Sequence, residues 1–160
     1  MDSPIADLSE LLCSLQPVLN AGVFVFASVP ARRDLQGIAV LSTFHEAEGV
    51  SVIAEEREAA RANLPVLFRA GWITLNVRSD LQAVGLTAAV ADALGAANIS
   101  CNIVAAAHHD HIFVPIEAAD AALHVLQALQ RNAETQTIPA RSPRETQCPP
   151  SPPCWVPNGR

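Results

Sequence analysis

No lysine and no tyrosine occur among these 160 residues; all ten basic side chains are arginine, against sixteen Asp and Glu, for a formal net charge of −6. An acidic chain without a basic cluster repels phosphate, so neither nucleic acid nor a membrane surface is expected as a partner. Long apolar runs are missing too: no window reaches the roughly 18 uninterrupted apolar residues that a spanning helix needs. Met1-Asp2-Ser3-Pro4 places no basic residue ahead of the first apolar stretch, unlike a secretory leader. The few cysteines do not cluster. Cys13 and Cys101 lie inside apolar periodic segments and read as small buried hydrophobes, while Cys148 and Cys154 bracket a proline run, their pairing left open. The expected compartment is the reducing cytoplasm. Serine nucleophile elbows, phosphate loops and dinucleotide fingerprints are absent, which points away from an enzyme, and no cofactor is implied.

What is present is apolar: half the chain is hydrophobic and only 16% charged, enough for one substantial core or two small ones. Ser3 is a suitable N-cap with Pro4 behind it, and Ile5, Leu8, Leu12 and Leu15 line one face, predicting a helix over 5–16 ended by Pro17 and Gly22. Val23–Val29 is apolar throughout and reads as a strand buried on both faces. After a loop from Pro30 to Gly37, Ile38–His45 and Val50–Ala54 form a hairpin. Glu55 and Glu56 open a short helix at its positive end, Pro65 stops it, and Val66–Phe68 gives one brief strand.

The second half is better patterned. Trp72–Val77 is strand-like, Ser79-Asp80 a turn, and Leu86, Val90, Leu94 and Ala97 recur at helical spacing until Asn98. Ile99–Ala106 and Ile112–Pro115 are strands around the polar corner His108-His109-Asp110-His111, and residues 117–131 form an amphipathic helix. Strand, helix, strand, strand, helix is most of a split βαββαβ unit, so the fold class is α+β with ferredoxin-like modules. From Ala133 onward periodicity is lost, and seven of the twelve prolines fall after residue 138, which predicts a disordered Pro-rich tail over 133–160.

The halves echo one another. Ala21-Gly22 and Asp34-Leu35-Gln36 flank one strand, as Ala70-Gly71 and Asp80-Leu81-Gln82 flank another; Val50–Glu55 parallels Ile112–Glu117 in running from strand into an acidic helix start. On Trp72–Val77, Ser79–Thr87, Ala97–Asn102 and Asp110–Pro115 the second half resembles an ACT domain, the small regulatory module that binds amino acids, as in aspartokinases and the CASTOR type of arginine sensor. With residues 5–70 the whole is similar to small uncharacterised bacterial proteins made of two ACT-like modules. The expected organisation is a first, atypical module over 1–69, a second over 70–132, and the tail. The first module lacks a helix after its first strand, a place for which the helix at 5–16 is the candidate. The second lacks a last strand after residue 131; the sheet edge so left open favours a homodimer.

The resemblance implies a non-catalytic regulatory protein binding an amino acid or similar small metabolite; a ligand-free interaction or oligomerisation module is the alternative. It also points to the turn into the 86–97 helix. Backbone amides at a helix start attract a carboxylate, Gly85 allows close approach, and Asp80 could receive an ammonium group. Asp80, Val84, Gly85, Leu86 and Thr87 are therefore implied ligand residues, with Asn98, Ile99 and Ser100 opposite them at an interface between modules. The rival is the histidine corner, with His45 and Glu46 as further donors; its spacing matches no zinc signature, and contiguous ligands on a turn rarely face one point. No metal site is expected.

Overall fold

The computed structural model describes residues 5–137. The chain runs α1 (Leu8–Cys13), β1 (Pro17–Leu19), β2 (Phe24–Val29), β3 (Val40–His45), β4 (Val50–Glu55), α2 (Glu56–Arg61) and β5 (Val66–Leu75). It continues with α3 (Leu86–Ala96), β6 (Asn102–Ala105), β7 (Asp110–Pro115), a 3-10 turn over Ile116–Ala118, and α4 (Ala119–Thr137). The strands form one antiparallel sheet in the order β3-β4-β2-β5-β7-β6, with β1 beside β5. The architecture is α+β, as expected. No helix among the described residues is long and apolar enough to cross a membrane.

β5 joins the halves. Its first residues pair with β2, Ile73–Leu75 pair with β1 on the same side, and Ala70–Leu75 pair with β7 on the other. The division expected at 69/70 thus falls inside one ten-residue strand, where the sequence suggested two. Ala70-Gly71 reads as a break, but Gly71 serves close packing: a Cβ there would lie 2.6 Å from that of Ala119, at the start of α4.

Val25 pairs with Arg69 and Ile73 with Ile112, so odd-numbered β2 and β5 residues share a face with even-numbered β7 residues. That face carries α1, α2, α3 and α4. Leu11, Leu15, Ile73, Leu86, Val90, Leu94, Ile112 and Leu126 form its larger core, and Val25, Val29, Val52, Ala59 and Leu64 its smaller one. The opposite face carries Phe24, Ile53, Ala70 and Phe113, flanked by Phe26, Phe68 and Trp72 in edge-on and stacked contacts.

Several expectations are corrected. The helix over 5–16 shrinks to α1, capped by the Asp7 carboxylate, which accepts from the Glu10 amide at 3.0 Å. Ile5 instead bridges to Ser79 and exchanges backbone hydrogen bonds with Arg78 and Asp80. α1 does not fill the helix vacancy of the first half: it packs on α4 and α3, and Leu35 and Ile38 of the loop lie against the smaller core. Nor is the edge beside β5 open, because β1 lies there as the missing last strand. Ile99–Cys101 do not join β6. α4 continues through 133–137, where the tail was expected to start, since no proline interrupts it and Gln130 bonds Glu134 one turn on. The rest of the expected tail, with Cys148 and Cys154, lies outside the described residues.

Candidate functional site

The turn between β5 and α3 is built by the N-terminal segment as much as by its own residues. Ile5 accepts from the Asp80 amide at 2.9 Å, pinning the turn to the start of the chain. Gly85 takes φ +104, a left-handed value that L side chains rarely adopt, and serves as the N-cap of α3. Among the described residues no side chain caps α3, and its first turn holds no acidic residue, so the partial positive charge of its first amides is not met from within the helix. A small cleft of about 50 Å3 opens there, lined by Ser79, Asp80, Ala83, Leu86, Thr87 and Asp110, with Leu81 and Ala105 at its sides.

Asp110 gives the cleft its charge. It is the first residue of β7, on the helix face of the sheet, and only 6% exposed. The Ser79 hydroxyl donates to its Oδ2 at 3.3 Å. Burial pushes its carboxyl above the usual range, and the Ser79 bond and the neighbouring histidines only partly offset that. Asp80 does other work: its Oδ1 accepts from the Gln82 amide at 2.8 Å, an Asx turn that holds the loop.

The structure therefore brings together Asp80, Leu86 and Thr87 at the cleft, with Gly85 behind them. Leu8 of α1 covers Gly85: a Cβ there would meet its side chain at 2.9 Å. Val84 projects outward, 84% exposed, beside Leu81 at 67%. Asn98, Ile99 and Ser100 are at the other end of α3, roughly 16 Å away along an eleven-residue helix. There Asn98, at φ +57, and Ile99 close the helix with backbone bonds to Gly95 and Leu94. Within one chain the two groups do not meet; a second module would have to supply one of them.

Sequence reasoning missed Asp110 as a member of this site, counting it with the histidines. Successive strand residues face opposite ways, so Asp110 points to the helix side and His111 to the aromatic side, where its Nδ1 accepts from the Trp72 indole N–H at 3.1 Å. Among the described residues no group of three or more His, Cys, Asp and Glu gathers as a metal site. Burial pushes the Cys101 thiol up, away from the reactive thiolate.

Comparison with known proteins bears on the family and the fold. Profiles described as ACT domain match residues 3–71 and 67–128. They overlap on residues of β5, the strand that serves both halves. A Vibrio cholerae protein of unknown function, described as a possible transport protein, is 41% identical with a TM-score of 0.70, over 77% of this chain and 95% of that one. The regulatory subunit of Thermus thermophilus aspartate kinase superposes with a TM-score of 0.58 at 12% identity, over 72% of this chain and 97% of the other. Escherichia coli aspartokinase III, solved with aspartate and ADP, gives 0.55 at 13%, over 72% of this chain and 33% of the other. No curated protein matches. The chain belongs to the ACT-domain family, as a tandem of two such domains.

Proposed function

We propose that this protein is a non-catalytic regulatory module that binds an amino acid or similar small metabolite at the β5–α3 turn. The observation that carries the reading is the pairing of uncapped α3 amides with the buried Asp110 carboxylate across one cleft. Amides and carboxylate match the two charged groups that every free amino acid carries. A cleft of about 50 Å3 admits those groups and not a whole amino acid, so the ligand's side chain projects past the exposed Leu81. Leu81 of the lining and Val84 of the same turn, both exposed, offer an apolar surface on which a second copy would close, bringing its own Asn98, Ile99 and Ser100 to the ligand. Binding then favours one assembly over another, which is how a ligand regulates. A ligand-free interaction module is the second reading, favoured by the exposed apolar edge strand β3, with Val40, Leu41 and Phe44 in solvent.

A thermal-unfolding screen against the twenty amino acids, read with light scattering, separates the two. A ligand at 100 times its dissociation constant adds about 2.7 kcal/mol, a shift of several degrees. We expect one selective hit that changes the oligomeric state and is lost in Asp110→Asn. A flat screen on folded protein would overturn the ligand reading and leave the interaction module.

A further inference from the structure

On the sheet face without helices, the two edge strands come round toward each other. Leu41 and Ser42 of β3, Ile53 of β4, Val104 of β6, and His111 and Phe113 of β7 line one cleft of about 140 Å3. β3 and β6 are the opposite ends of the sheet order, so only its curl brings them to a common cavity. The strands are adapted to it. Adjacent residues of a regular strand point to opposite faces, yet Leu41 and Ser42 both line the cleft, because a register shift between Val40 and Ser42 re-aims them. His111 is held by a chain of hydrogen bonds. Asn20 donates to the Trp72 carbonyl at 3.1 Å and to the Thr74 hydroxyl at 2.9 Å, and the Trp72 indole N–H donates to His111 Nδ1. With Nδ1 accepting, Nε2 carries the proton of the neutral ring and is the donor left for another molecule.

We propose that this cleft binds a small uncharged aromatic molecule bearing a hydroxyl or carbonyl group, about the size of phenol, with its polar group served by His111 and Ser42. An apolar cavity of about 150 Å3 takes up benzene, which sets the size. Buried Phe113 and Ile53 supply an aromatic and an aliphatic surface for the ring. Among the described residues no Asp, Glu or Arg lines the cleft, and those that do line it offer no partner to the charges of a free amino acid. This separates the site from the β5–α3 turn, on the other face, and the proposal does not rest on the reading of that turn. Because the walls belong to the edge strands of the two halves, an occupant favours the curled form of the sheet over a flatter one.

The test follows the Trp72 indole N–H resonance by NMR in Trp155→Phe, which leaves Trp72 as the one tryptophan. Titration with phenol is expected to shift it saturably, with half-saturation in the millimolar range, on the order set by a seven-atom ligand. Val104→Phe, which fills the cleft, or Ala106→Leu at its rim should abolish the shift while thermal unfolding stays cooperative. Benzoate, with the same ring and a charge, should give at least tenfold weaker binding. A shift that stays linear in phenol or survives in the folded filled variants overturns the site. Benzoate binding equal to phenol overturns the uncharged class.

Discussion

β4 and β7 hold equivalent places in the two halves. Each is the third strand of its half, each buries its first, third, fourth and fifth residues, and each runs directly into helical structure. At the first of those positions they differ: Val50 in β4 is 3% exposed and Asp110 in β7 is 6% exposed. The fold accepts valine there and gains apolar burial from it; a desolvated carboxylate costs stability unless something pairs with it. The surroundings differ in step. Near Val50 the loop from Pro30 to Gly37 replaces a helix, and Leu35 and Ile38 pack against the core. Facing Asp110 is α3, with its open amide end. One half spends this position on packing, and the other keeps a cleft and a charge.

Removing residues 1–19 should have the largest effect on that asymmetry. It takes away β1 and the buried Leu11 and Leu15, each worth about 2–5 kcal/mol when truncated. A domain whose whole stability is about 5–15 kcal/mol does not survive that loss. Circular dichroism and calorimetry should show no cooperative transition for the truncated chain. A surviving transition with the helix content of α3 and α4 would show that the second half does not need the N-terminal segment.

Gly71→Ala tests the joint between the halves. Its new Cβ meets that of Ala119, which cannot swing away, and overpacking of this kind costs about 1–3 kcal/mol. Gly95→Ala is the control: nothing lies within 4 Å of its Cβ position, and alanine in a helix should add about 0.5–1 kcal/mol. Chemical denaturation of the two variants should move the midpoint in opposite directions. A midpoint that does not fall in Gly71→Ala would mean that Gly71 is not packed as described.

The smallest effect is the most specific. Asp110→Val makes the second half like the first and should raise stability by roughly 1 kcal/mol near neutral pH, with ligand binding lost. The pH dependence has a definite sign. A carboxyl whose folded pKa is raised contributes fully below the unfolded carboxylate range, and that contribution is lost as pH rises through the folded value. The stability gap between variant and wild type should therefore open as pH rises and close on acidification, in melting curves taken across that range. A gap constant with pH would mean that the carboxyl is not desolvated.

Much of this was legible in the residues. The apolar run of β2, the 3.6-residue spacing of α3 and α4, and the strand-to-helix passages at Glu55 and Pro115 each state their structure locally, because the period of the pattern matches the period of the element. β1 was not legible. The three residues Pro17–Leu19 carry no period, and their strand conformation comes from pairing with Leu75, Thr74 and Ile73, more than fifty positions later. The same holds for Gly71, whose role depends on Ala119.

The site divides in the same way. Gly85 ahead of an uncapped helix is written in the local sequence, since only the residue type and its place before the helical run are needed. That Asn98–Ser100 sit a helix length away from it follows from α3 being eleven residues long. Asp110 at the cleft and His111 on the opposite face were decided by the register of β7 against β5 and β6, because a one-residue slip exchanges the two faces. The α+β class, the ACT resemblance and the glycine turn ahead of α3 follow from local pattern alone. That β1 completes the second half, that one strand serves both, and that Asp110 lines one cleft with the start of α3 came from the folded chain, since long-range pairings and sheet faces have no local signature.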